Sequence, residues 1–218
     1  MLPDVRTPRN LAARDNPGMG TGQPRVQLAT PDQLGTLSRV LGRAFASDPM
    51  MAWPLGDIAD PQRSIEACFR LLNAENIESG LVFEAAGGAG VAVWVPPDLA
   101  GRWAETERRA RPAIHAMADD GGARYERLWN WVEERVPAEP LWHLDQLGVD
   151  PARQGEGLGK ALVQFGLARA ADEGLPAFLE TATERNVRFY ELLGFRVVDE
   201  GSVPGDGPRV WFLRRDPN

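Results

Sequence analysis

Among the 218 residues there is a single cysteine, Cys68, and there are two histidines, His115 and His143. One thiol excludes an internal disulfide framework, and so few soft ligands leave a zinc cage without its set. No apolar run approaches the roughly 20 residues that cross a bilayer, and the N-terminus lacks the apolar h-region of a signal peptide. Positive charge is scarce too. Lys and Arg number 24 against 31 Asp and Glu, and the net charge of −7 disfavours a nucleic-acid partner. Of the basic residues only Lys160 is lysine. What is present is an ordinary globular composition, 43% hydrophobic and 25% charged, in a chain long enough for one α/β core. The expectation is a cytoplasmic, single-domain protein that engages neither membrane nor nucleic acid, with no internal repeat.

Residues 1–24 hold Pro3, Pro8, Pro17 and Pro24 with several glycines and no apolar periodicity, the pattern of a disordered tail. Residues 25–218 read as the domain. Arg25–Ala29 alternates as a short strand, and Thr30-Pro31-Asp32 opens a helix whose apolar positions are Leu34, Leu37, Val40, Leu41 and Phe45. Residues 47–57 read as a loop carrying Met50, Met51 and Trp53. A second helix starts near Asp60-Pro61 and buries Ile65, Cys68, Phe69 and Leu72, so Cys68 is expected to be inert core. Leu81–Ala85 and Gly90–Val95 form a hairpin closed by Pro96-Pro97. A helical insertion follows at about 98–137, broken at Gly121-Gly122. Then come strand Leu141–Val149, helix Leu158–Glu173, strand Ala177–Thr181, helix Glu184–Leu193 and two last strands at Phe195–Val198 and Arg209–Leu213. The order β-α-α-β-β-α-β-α-β-α-β-β predicts an α/β fold with a mixed sheet.

The segment richest in chemistry is Gln154-Gly155-Glu156-Gly157-Leu158-Gly159-Lys160, between a strand and a helix. Successive glycines let a ligand approach the backbone, and a helix N-terminus adds positive potential, so the segment predicts an anion site. A Walker loop is excluded: Gln154 stands where its first glycine belongs, and Ala161 replaces the magnesium-binding hydroxyl. A Rossmann fingerprint is excluded as well. Its third glycine falls on Lys160 counting from Gly155, and on Leu162 counting from Gly157.

The pattern that fits is [QR]-x-x-G-x-[GA], met by Gln154, Gly157 and Gly159. It resembles the pyrophosphate loop of the GNAT superfamily of acetyl-CoA-dependent N-acetyltransferases. About thirty residues on, Glu184–Phe195 resembles that family's second signature through Asn186, Phe189, Tyr190, Gly194 and Phe195. Patches over most of residues 26–214 are similar to the puromycin N-acetyltransferase branch: Leu28-Ala29-Thr30, Ala92-Val93-Trp94, Gly148–Gly159, Pro176–Thr181, Arg185-Asn186, and Gly207-Pro208-Arg209 with Trp211. Residues 98–136 match poorly, so the acceptor is not inherited from the resemblance.

The resemblance implies a GNAT fold, a single domain with a mixed, mostly antiparallel sheet flanked by helices. It implies acetyl-CoA as co-substrate with no metal, a small-molecule amine as acceptor, and a monomer or homodimer. Gln154, Gly155, Glu156, Gly157, Leu158, Gly159 and Lys160 would cradle the pyrophosphate. Leu147, Gly148 and Val149 would meet the pantetheine arm through the backbone, with the N–H near Leu147 as oxyanion donor. Asn186 would bind that arm or orient its helix end, and Tyr190 would protonate the departing thiolate. Acetyl transfer to an alkylammonium also needs a base, because an amine of pKa about 10.4 has no free lone pair at pH 7. Alternation along the strand puts His143 and Asp145 on one face, as a possible pair of imidazole and orienting carboxylate. Glu180 is a third candidate, and ordered water with no base at all is a fourth. Trp94, Trp53 and Tyr125, with Trp129 and Trp131, are candidates for an acceptor pocket, and Asp48 for attracting a cation. Two alternatives stay open: a protein or peptide amine as acceptor, and a catalytically silent acyl-CoA-binding protein.

Overall fold

The computed structural model describes residues 24–217, so the expected tail, 1–24, lies outside the described residues but for Pro24. One sheet holds seven strands: β1 (Val26–Leu28), β2 (Val82–Ala85), β3 (Gly90–Val95), β4 (Trp142–Val149), β5 (Ala177–Thr181), β6 (Arg196–Ser202) and β7 (Arg209–Arg215). Their spatial order is β1-β2-β3-β4-β5-β7-β6, and every neighbouring pair is antiparallel except β4 and β5.

Local chemistry sets the helices. Before α1 (Leu34–Ala44), Thr30 and Gln33 form a reciprocal capping box around one 3-10 turn. Asp60 caps α3 (Pro61–Glu78) by accepting from the Arg63 amide, with Pro61 at the first helical position. The segment 47–57 is not a loop. Asp48 accepts from the Met50 amide and starts α2 (Pro49–Leu55), whose Pro49 occupies the tolerated first position. The insertion is two helices, α4 (Ala100–His115) and α5 (Ala123–Glu133), separated by Gly121 and Gly122 in left-handed conformation. Then follow α6 (Leu158–Asp172) and α7 (Glu184–Glu191). Among the described residues no helix is long and apolar enough to cross a membrane.

The two faces of the sheet are covered differently. Phe83, Ala92, Trp94, Trp142, Leu144 and Leu179 pack under α6 and α7. Val82, Val91, Val93 and Val95 pack under α1, α3, α4 and α5. Close approach of α6 depends on Gly166, where a Cβ would lie 2.1 Å from the Trp94 indole.

Two irregularities in β4 shape everything that follows. Val93 pairs with Gln146 but Trp94 with Leu144, so Asp145 is an extra, bulged residue. The parallel ladder to β5 contains only Trp142–Ala177 and His143–Phe178, after which the two strands part.

Candidate active site

Where β4 and β5 part, backbone groups are left facing a gap. The Asp150 amide donates to the Ala89 carbonyl, which fixes the antiparallel alternation along the outer half of β4. Gly148 and Gln146 therefore turn their amides and carbonyls toward β3, while Leu147 and Val149 turn theirs to the β5 side. There β5 no longer answers. A slot lined by unpaired peptide groups results, able to bind an extended amide-bearing chain as a strand would. Gly148 is needed behind it, since a Cβ there would come within 2.7 Å of Leu41 on α1.

The slot leads outward to the start of α6. Gly155 and Gly157 have φ of +88° and +81°, conformations that favour glycine. Gly157 is the N-cap residue, and no side chain caps the helix. The first-turn amides of Leu158, Gly159 and Lys160 have no intrahelical acceptor, so this end presents donors and positive potential to an anion. Gln154, Gly155, Glu156, Gly157 and Lys160 are exposed, while the Leu158 side chain is core. Glu156 is tied to Arg153 by two contacts of 2.6 Å, and Gln154 accepts from Arg185 at 3.2 Å.

At the inner corner of the slot stand the ionisable groups. His143 Nε2 and Glu180 Oε2 are 2.9 Å apart, with the Glu180 side chain only 4% exposed. Burial alone would push the imidazolium down, but the carboxylates around it, Glu180 foremost with Asp145 and Glu107, together hold His143 above its ordinary range. Burial pushes Asp145 up to about 6 against the pull of His143, with Glu180 adding to the rise. Glu107, reaching in from α4, is pushed up to about 8 by burial and by Asp145, while Arg111 and the Tyr125 hydroxyl pull the other way. The Tyr190 phenol lies within electrostatic reach of Glu180 and Asp48, and burial raises it above the usual tyrosine range. Its ring is wedged between Phe189 and Phe195, which fixes its direction. Such a corner can take a proton at His143 and give one at Tyr190.

Residues 92–195 match the model of the acetyltransferase (GNAT) family. The fold matches the histone acetyltransferase HPA2 and related acetyltransferase of Corynebacterium glutamicum with a TM-score of 0.68. That match has 24% identity and covers 90% of this chain and 97% of that one. It also matches the polyamine N-acetyltransferase of Drosophila melanogaster with a TM-score of 0.60 and 17% identity, over 89% of this chain and 100% of that one. The chain has the GNAT fold. Among curated relatives, the mycothiol acetyltransferase of Thermomonospora curvata is 37% identical over 102 residues, 44% of this chain and 34% of that protein. That of Kineococcus radiotolerans is 35% identical over 141 residues, 56% of this chain and 44% of that protein. The chain spans about a third of the length of the first of these relatives.

Within the GNAT fold, several expected site residues need correction. Trp94 is no pocket wall: it is fully buried under α6, its Nε1 donating to the Leu162 carbonyl at 3.2 Å. Tyr125 is likewise packed inside, edge-on to His115 and beside Trp129, and it meets the corner through Glu107 and Asp145. His143 is oriented by Glu180, not by Asp145, because the bulge displaces Asp145 and hands it to Gln146 at 3.0 Å. Asp48 serves as the cap of α2 as well as facing Tyr190. Trp53 and Trp129 are half-buried against the cluster of Met50, Leu128, Phe178 and Phe212, and Trp131 packs at a tilt against Phe212 under Arg135. Asn186 does not cap α7, a task done by Thr183. Its Nδ2 donates to Thr181 Oγ1 at 3.0 Å and ties the helix to the end of β5. Cys68 lies in the core as expected, and burial pushes its thiol up to about 12.

Four residues of the corner escape a reading of the sequence: Trp103 and Glu107 on α4, Asn73 on α3, and Gln146. Trp103 stands edge-on to His143, and its buried indole N–H lies within reach of Asp145, whose charged form it favours. A signal did exist for α4. Trp103, Glu107 and Arg111 recur every four residues alongside the buried stripe of Thr106, Ala110 and Ile114.

Proposed function

We propose that the chain transfers an acetyl group from acetyl-CoA to the primary amine of a small molecule, by direct attack in a ternary complex. The observation that carries this reading is the continuity of three parts: an uncapped helix start for the pyrophosphate, a slot of unpaired peptide groups for pantetheine, and a proton-handling corner at its inner end. The residues fit the ligand. Glycines with positive φ leave the α6 amides open, and Leu147 and Val149 offer donors and acceptors in line with them.

The ammonium form of the acceptor loses a proton to His143, whose charged state Glu180 stabilises. The amine nitrogen attacks the thioester carbonyl and forms the C–N bond. The Leu147 amide donates to the oxygen of the tetrahedral intermediate. Collapse breaks the C–S bond, Tyr190 protonates the sulfur as it leaves, and the extra proton on the new amide nitrogen passes back to the phenolate. A phenol held protonated by burial is suited to giving the sulfur its proton. Since His143 must be neutral to accept the proton, kcat/KM should rise with pH through its raised pKa.

Carboxylates at Asp48, Asp145 and Glu180 favour a cationic acceptor, and the α4–α5 insertion argues for a small molecule rather than a peptide. A role in inactivating an amine antibiotic, as in the puromycin branch, stays within this reading, as do action in the cytoplasm and a monomer or homodimer. The test is CoA-thiol release against puromycin, polyamines, aminoglycosides, arylalkylamines, amino acids, N-terminal peptides and the acceptor of the mycothiol acetyltransferases. Turnover with a small amine is expected. Turnover with peptides alone would move the acceptor to proteins, and tight acetyl-CoA binding without any turnover would favour a silent binder. Failure to bind acetyl-CoA would overturn the proposal.

A further inference from the structure

The apolar face of α3 is interrupted. Among Ile65, Phe69, Leu72 and Ile77, the carboxamides of Asn73 and Asn76 are completely buried. A buried amide left unpaired costs about 1–3 kcal/mol, so two in an aliphatic cluster need partners. Asn73 Nδ2 donates to Gln146 Oε1 at 2.9 Å, and Gln146 Nε2 donates to Asp145 Oδ2 at 3.0 Å. Behind them Asn76 Nδ2 leans toward Asn73 Oδ1 at 3.4 Å, and Asn76 Oδ1 has no partner among the described residues. The direction of the chain follows from its end. An ionised carboxylate only accepts, so Gln146 must offer it the NH2 group; that leaves the Gln146 oxygen for Asn73, which must offer its own NH2. Every donor points one way, toward Asp145.

Asp145 needs such help. From its own strand it faces His143, from β5 Glu180, from α4 Glu107 and the Trp103 indole, and from α5 Tyr125, with Arg111 behind Glu107. Burial opposes its ionisation, and so does the Glu180 carboxylate, while the Trp103 indole and the Gln146 amide favour it. We infer that Asn73 and Gln146 are positioning residues: a one-way amide chain from α3 that holds Asp145 ionised and fixed beside His143, and so keeps the imidazole basic. This rests on reading His143 as the proton acceptor. The chain explains why α3 carries amides where aliphatic residues would pack as well.

The test needs no turnover. With two histidines in the sequence, the imidazole resonances of the full chain are assigned by a His115→Asn variant and titrated by NMR. In Gln146→Met and in Asn73→Leu, each similar in shape to the original, the His143 midpoint is expected to fall by on the order of half a pH unit. His115 should not move, and acetyl-CoA should bind as before. The acid limb of kcat/KM should shift downward by the same amount. In the unaltered protein, the carboxamide resonances of Gln146 and Asn73 should follow the ionisation of Asp145, a measurement that requires no variant to fold. An unchanged His143 midpoint in both variants, with only thermal stability lowered, would overturn the inference, as would carboxamide resonances indifferent to pH. A shifted midpoint in a protein that transfers no acetyl group would uphold the chain and sink the acetyltransfer reading instead.

Discussion

The two faces of the sheet solve opposite problems. Under α6 and α7 the packing is aliphatic and aromatic, and the buried side-chain polar groups near the site are the Tyr190 and Thr181 hydroxyls and the bonded indoles of Trp94 and Trp142. What this side offers a ligand is backbone: a helix start and the exposed edge of β4. Under α3, α4 and α5 the same sheet buries Asn73, Asn76, Thr106, His143 and Gln146, with Glu107 and Asp145 beside them. What that side offers is side chains whose ionisation depends on one another. Recognition of an invariant ligand suits backbone, because peptide groups cannot titrate. Handling a proton requires groups that can.

This contrast is sharpest at Tyr190, which sits on the apolar side and serves the other. Tyr190→Phe should lower kcat by about 10³ while leaving acetyl-CoA affinity within a factor of two, read by steady-state kinetics and calorimetry. Equal loss of affinity would place the phenol among the binding groups and blur the division. Next in size, His143→Gln and Glu180→Gln should each cost about 10² in kcat/KM. The Glu180 variant should also move the acid limb to lower pH, because the imidazolium loses its stabilising carboxylate. A limb that stays in place would separate Glu180 from His143.

Gly157→Val probes the backbone side alone. A β-branched residue at φ +81° must rearrange the helix start, so acetyl-CoA affinity should fall about tenfold while the pH profile keeps its shape. The smallest effect belongs to Glu107→Gln. A carboxyl held up to about 8 in the folded protein, against about 4.3 unfolded, keeps its proton more firmly when folded. Stability is therefore lost as pH rises between those values. The glutamine variant should melt a few degrees higher than the parent at pH 8 and within a degree of it at pH 5.

Sequence reading reached the backbone side far better than the other. Glycines at 155 and 157 declare themselves because their left-handed conformation favours them, and the seven strands alternate over short windows. The short helix α2 was hidden by Pro49 and Pro54 within seven residues, although Asp48-Pro49 is itself a start signal. The His143–Glu180 contact joins residues 37 apart on different strands, and no local pattern encodes it. Strict alternation also misassigned the partner of His143, because one bulged residue is enough to break the count. Trp94 was misplaced for a related reason: an aromatic in a strand shows no sign of which face it takes until the covering helix, and the glycine that admits it, are known.

The parting of β4 and β5 also has a mechanical side. With only two rungs joining them, the sheet is a pair of blades, β1–β4 and β5–β7–β6, riveted near one end. An extended ligand in the gap would act as the missing strand, turning two blades into one rigid plate. In hydrogen–deuterium exchange, the Leu147 and Val149 amides of the free protein should then exchange fast for central-strand residues. Their slowing on addition of acetyl-CoA would time the moment the plate becomes continuous.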